Sequence, residues 1–155
     1  MKKCKPADLL ISIIFAELTG ALSGILAGDI SGVYGELVQP PLSPPVWVFP
    51  LAWAALYALM GISACLIKTS PEGDTRGALA VYYVQLFLNF MWSIVFFRFR
   101  LFWAAAILLF ALLTAVLVMI VKFSRLRPAA GFLNIPYVLW LCFAAYLNLG
   151  TAALN

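Results

Sequence analysis

The sequence predicts an all-α membrane protein, a five-transmembrane-helix bundle with a long first loop over a pocket. Three observations carry this reading. The composition is 65% hydrophobic and only 10% charged, whereas a soluble domain is roughly half apolar and a quarter charged. Five apolar segments, at residues 7–28, 44–67, 78–97, 101–121 and 129–153, reach the ~20 residues that a helix needs to cross a bilayer. Between positions 40 and 53, five prolines and two tryptophans crowd the mouth of the second segment. The whole chain, 1–155, reads as a single membrane domain.

The first segment opens with Met-Lys-Lys, as a signal peptide would. Asp8 and Glu17 interrupt it and it runs too long, so it is expected to remain as a helix. Ala16, Gly20, Gly24 and Gly28 recur at four-residue steps and form a groove. That groove is either a homodimer seam or a site of close packing inside one bundle, the second being the simpler reading. Glu17 lies mid-helix, where a carboxylate must face a partner or water. It is either a site residue or a protonated structural hydrogen-bonder. The connection at 29–43 is long for a tight bundle and suits a lid, with a short helical turn at 33–37.

In the second segment Pro44 and Pro45 suit a helix's first turn, and Pro50 is expected to bend the helix one turn later, leaving room beside it. Trp47 and Trp53 would give that gap flat apolar walls with N–H donors. The third segment places Gln85, Asn89 and Ser93 on one face, with Trp92 adjacent. This stripe serves either interhelical hydrogen bonding or a polar wall offered to a ligand. The fourth segment is mostly Leu, Ala, Val and Ile and reads as scaffold, with Phe102 and Trp103 as interfacial anchors. On the fifth, Tyr137, Trp140, Ala144 and Asn148 share a face, and the small Ala144 leaves space beside Trp140.

The chain has no histidine, which removes the usual general base and the usual haem and zinc ligand. Cys4, Cys65 and Cys142 show no metal-type spacing and suggest no disulfide framework; Cys65 and Cys142 read as small core residues. The sequence pI is about 9.1. The basic residues stand at the ends of apolar runs, which fits topology signals and anionic lipid rather than nucleic acid. Lys2, Lys3, Lys5, Lys68, Arg76, Lys122, Arg125 and Arg127 fall on one side, against Arg98 and Arg100 on the other. The N-terminus is therefore expected in the cytoplasm and the first loop outside.

Three blocks of residues resemble the TspO/MBR family, the translocator proteins or peripheral-type benzodiazepine receptors. They are 34–61, with Pro-Pro-Val-Trp-Val-Phe-Pro-Leu-Ala-Trp; 85–97, Gln-Leu-Phe-Leu-Asn-Phe-Met-Trp-Ser-Ile-Val-Phe-Phe; and 136–148, Pro-Tyr-Val-Leu-Trp-Leu-Cys-Phe-Ala-Ala-Tyr-Leu-Asn. Glu-Leu-Thr-Gly at 17–20 is similar to the first helix of many bacterial members. The resemblance implies a five-helix bundle, usually dimeric, in a bacterial or archaeal cell membrane, with a pocket beneath the first loop that takes porphyrins. Carried over by motif, Trp53, Asn89, Trp140 and Ala144 would line that pocket, with Tyr57, Trp92, Phe143 and Asn148 nearby; Tyr34, Gln85 and Tyr137 complete the expected ligand-binding set. The lid departs from the family pattern. Val33 and Leu42 stand where members often carry tryptophan, and Gln39 where they often carry lysine.

The resulting expectation is a tetrapyrrole-binding membrane protein that senses, buffers or carries porphyrins, with no covalent cofactor and no metal. One alternative is light-dependent porphyrin degradation through Trp53 and Trp140, since no acid–base dyad or metal site is visible. Another is a dimeric interaction or regulatory protein. A transporter built on internal repeats fits less well, because the five segments show no repeat. The expected partners are a porphyrin or other flat apolar molecule, the lipid bilayer and a second copy of the chain.

Overall fold

A computed structural model describes residues 4–71 and 73–155. Lys2 and Lys3, counted above on the basic side, lie outside the described residues. Helix α1 (Pro6–Ala27) begins on a proline, whose missing N–H is not needed in a first turn, and ends at Gly28 with φ of 87°, a conformation that favours glycine. Helix α2 (Ile30–Glu36) lies within the first loop, and Asp29 caps it by accepting from the Gly32 N–H at 2.9 Å. Helix α3 (Val48–Lys68) follows. Asp74 caps α4 (Thr75–Ser93) through the Gly77 N–H at 2.8 Å. This helix continues into a π-helical turn, Ile94–Arg98. Helix α5 (Phe102–Leu126), the short α6 (Pro128–Phe132) and α7 (Ile135–Leu154) complete the chain.

Counting the π turn with α4, and α6 with α7, five helical units are long and apolar enough to span a bilayer. The protein is an integral, multi-pass membrane protein. The described residues contain no strand.

The expected helix boundaries shift in two places. Pro44 and Pro45 lie in the loop, and the second span begins only at Val48. Pro50 is then the third residue of α3, where a backbone N–H has no intrahelical acceptor, so proline costs no intrahelical hydrogen bond. The room beside α3 is described below. The fourth span runs to Leu126, five residues past the expected end. Apolar length registers the hydrocarbon core, whereas the helix continues into the polar interface.

Helix α1 packs chiefly along α3 and touches α4 and the π turn, while α5 packs against α4 and α7. The backbones of α1 and α3 approach closely at Gly61, where an added Cβ would lie 2.5 Å from Ile13 Cα. Ser23 ties α1 to α4 by donating to the Phe90 carbonyl at 2.8 Å. Of the small-residue stripe of α1, Ala16 is fully buried, Gly20 lies under the Tyr57 ring, a Cβ on Gly24 would meet nothing within 4 Å, and Gly28 is exposed.

Two cysteine expectations are corrected. Cys4 and Cys65 form a disulfide, with Cα atoms 6.0 Å apart, joining the start of α1 to α3. A separation of 61 residues gives no local sign of this pair; only the antiparallel packing of α1 on α3 creates it. Lys68 lies near the same end and donates to the Ser12 hydroxyl at 3.2 Å. Cys142 is exposed rather than part of the core.

Candidate ligand-binding site

In the lid-side half of the bundle, α1 and α3 leave a cavity of about 550 Å³. Ligand sites typically occupy about 300–1,000 Å³. Helix α1 supplies Glu17, Gly20, Ala21 and Gly24; the missing side chain of Gly20 admits the Tyr57 ring, and the place of a side chain at Gly24 is open space. Helix α3 supplies Phe49, Pro50, Trp53, Ala54 and Tyr57. Trp92, Ser93 and Phe97 come from α4 and its π turn, while Ile30, Ser31, Val46 and Trp47 form the mouth. Trp47 is 62% exposed there.

The indole of Trp53 is the hub of the aromatic wall. Its ring centroid lies 5.7 Å from Tyr57, 6.1 Å from Tyr137 and 6.4 Å from Trp140, the last two edge-on. Trp140 also meets Phe49 edge-on at 6.1 Å. Of the expected ligand-binding residues, Trp53, Tyr57 and Trp92 line the cavity. Trp140 stands one layer behind them, with its buried indole N–H lacking a partner among the described residues. Phe143 packs on Trp140 and stacks on Tyr146, and Ala144 is buried.

The amides also form a layer behind the cavity. Tyr57 donates to Asn89 Oδ1 at 3.3 Å, Asn89 Nδ2 donates to the Tyr137 hydroxyl at 2.7 Å, and that hydroxyl donates to Gln85 Oε1 at 2.9 Å. Gln85 Nε2 reaches Met60 Sδ at 3.6 Å. Trp92 Nε1 donates to Asn148 Oδ1 at 3.0 Å, and Asn148 Nδ2 donates to the Phe102 carbonyl at 2.9 Å. Gln85 and Asn89 meet protein partners on neighbouring helices, whereas Ser93, the third member of the stripe, lines the cavity.

The lid is tied down by hydrogen bonds. Tyr34 donates to the Pro44 carbonyl at 2.7 Å and sets its ring edge-on to Phe49 at 5.2 Å. Burial raises the Tyr34 phenol above its usual range, partly offset by Ser43. Gln39 donates to the Tyr34 carbonyl at 2.6 Å, and Tyr146 of α7 donates to the Pro41 carbonyl at 2.7 Å. Asn155 brackets Val38, accepting from its N–H at 3.0 Å and donating to its carbonyl at 2.9 Å.

Phe49 and Phe97 line the cavity without having been signalled by the sequence. Phe97 follows Trp92 by five residues, a spacing that α periodicity places on different faces and the π turn brings to one side. Glu17, whose role the residues left open, lies on the cavity wall.

Fold and site together define a multi-pass membrane protein with an aromatic-walled internal cavity. The TspO/MBR family model matches residues 11–154, and the chain belongs to that family. Among its relatives, the tryptophan-rich sensory protein of Cereibacter sphaeroides is 37% identical over 79% of this chain and 76% of its own length. The tryptophan-rich protein TspO of Archaeoglobus fulgidus is 32% identical over 94% of this chain and 96% of its own. The translocator protein of Ovis aries is 37% identical over 74% and 70%.

Proposed function

We propose that the protein is a membrane-embedded sensor or regulator that holds a flat, apolar, porphyrin-type ligand in the cavity between α1 and α3. The observation that carries this reading is the wall itself: three indoles, Trp47, Trp53 and Trp92, converge from the loop and two helices on a space of about 550 Å³. Indoles offer a planar ring large apolar faces to stack on. A relative named as a sensory protein supports the regulatory part of the proposal. Protoporphyrin IX should quench tryptophan fluorescence saturably in nanodiscs. Trp53→Ala combined with Phe49→Ala should weaken binding by about tenfold or more. Unchanged affinity in that variant would place the ligand elsewhere.

A second reading, light-driven addition of dioxygen to the bound ring, is favoured by one contact: the excited ring takes an electron from Trp53, dioxygen adds to the reduced ring, and the electron then returns to the oxidised indole pair. Trp53 lines the cavity and touches Trp140 at 6.4 Å, so an indole behind the wall is placed to refill the first. Loss of ring absorbance under illumination should slow in Trp53→Phe; bleaching equal to the wild type excludes this reading.

The basic residues at the disulfide end support a cytoplasmic N-terminus with the lid outside. Protease applied to the outside of sealed cells should then cut a site inserted in the lid and spare an N-terminal tag; the opposite pattern reverses the topology.

A further inference from the structure

We propose that Arg98, carried to the rim of the cavity by the π turn, recognises a carboxylate on the ligand. The inference rests on the cavity being the ligand site, and adds which group of the ligand faces the mouth.

Arg98 is the last residue of the π turn and follows Phe97, which lines the cavity. Its guanidinium reaches α1 and donates through Nη1 to the Leu26 carbonyl at 3.1 Å. Leu26 is two residues beyond Gly24, the lining residue of α1 nearest the lid. At 1.5 Å per residue, that is about 3 Å further along the helix axis. Four residues past Leu26 stands Ile30, at the mouth. The acceptor of Arg98 is thus bracketed in the chain by two residues of the cavity, and Arg98 itself adjoins a third.

The charged head has capacity to spare. A guanidinium carries five N–H donors, and the bond to Leu26 occupies one of them. Arg98 is exposed, and among the described residues it belongs to neither ion pair. The acids of the lid are engaged elsewhere. Glu36 pairs with Arg100 at 2.7 Å, and Asp29 accepts from the Gly32 N–H at 2.9 Å.

No other cation suits the task. Residues 29–43 contain no lysine or arginine, and Arg100 is neutralised by Glu36. Lys5, Lys68, Arg76, Lys122, Arg125 and Arg127 stand at the opposite ends of their helices.

A carboxylate is costly in hydrocarbon and belongs at the interface. A flat ring with carboxylates along one edge therefore enters with that edge turned to the mouth. There the planar guanidinium can meet a carboxylate with two parallel, charge-assisted hydrogen bonds. The bond to Leu26 already restrains the side chain, so less freedom is lost when the ligand arrives. The same bond also satisfies a carbonyl at the end of α1, as basic residues commonly do. The two roles separate by experiment: a helix cap supports the cavity for every ligand alike, whereas carboxylate recognition acts only on ligands that carry one.

The test compares protoporphyrin IX, a diacid, with its neutral dimethyl ester. Binding to the full chain in zwitterionic nanodiscs is read by tryptophan quenching, for the wild type and for Arg98→Gln. Each ligand is compared with itself across the two proteins, so its partitioning into the bilayer cancels. Arg98→Gln should weaken the diacid by about threefold or more and leave the ester within about twofold, which also shows that the variant folds. A smaller change for the diacid, or an ester that weakens to the same extent, overturns the inference. If neither macrocycle binds the wild type, the porphyrin reading fails, and 1-pyrenebutyrate against its methyl ester decides the role of Arg98. An anion weakened by Arg98→Gln with the ester spared upholds that role; no such difference, or no binding of either, overturns it.

Discussion

Gly61 and Gly24 show what a missing side chain accomplishes in two different settings. At Gly61 the backbone of α1 occupies the place where a Cβ would go, at 2.5 Å from Ile13 Cα. Gly61→Ala must push two helices apart and is expected to cost about 1–3 kcal/mol, read as a lower unfolding temperature in detergent. At Gly24 a Cβ meets nothing within 4 Å. Gly24→Ala should leave unfolding unchanged or slightly raised, since alanine is favoured in helices by up to about 1 kcal/mol, and Gly24→Leu should abolish ligand binding by filling the cavity. The Tyr137 hydroxyl accepts from Asn89 and donates to Gln85, all three residues being buried. Tyr137→Phe strands both amides at about 1–3 kcal/mol for each polar atom left unpaired, again measured by thermal unfolding. The shared face of Gln85 and Asn89 was legible from four-residue spacing, but its partners were not. Spacing identifies which residues share a side of a helix and contains no information on what stands opposite. The same limit hid that Glu17 stands on the wall of a cavity completed by α3.

The spans were legible because the bilayer imposes length and apolarity on every crossing helix. What connects and distorts them was less so. The proline-rich segment was correctly singled out as the cavity's rim, but its prolines do not hold the cavity open: they precede α3 or occupy its first turn. Open space lies instead at Gly24 on the neighbouring helix, where a side chain would otherwise stand. The π turn was invisible because it adds a residue to a helical turn without a compositional mark, and it is this turn that delivers Phe97 to the wall. The Cys4–Cys65 bond fastens the end of the α1–α3 pair remote from the cavity. Replacing both cysteines by serine should lower stability by about 2–4 kcal/mol, and reductant should lower the wild type to match. Cys142→Ser, at an exposed position, serves as the control and should unfold as the wild type does.

Across the whole molecule the two halves of the bundle differ. The half beside the disulfide is densely packed around Met60, Tyr82, Met119 and Phe123, with Tyr82 stacked on Phe123 at 6.3 Å. The half beneath the lid holds the cavity. The lid above it is bonded to α3's leading loop, to Tyr146 and to Asn155. A cover secured at so many points is a poor doorway. Ala21 and Gly24 of α1 and the exposed Trp47 line the same cavity, and entry between them from the acyl chains is the expected route. Guests arriving that way sample the protein at their concentration in the bilayer, not in the surrounding water. Across a homologous series of alkyl esters, apparent affinity should then climb in step with lipid partitioning, and association should be no faster when Asn155→Ala frees the lid.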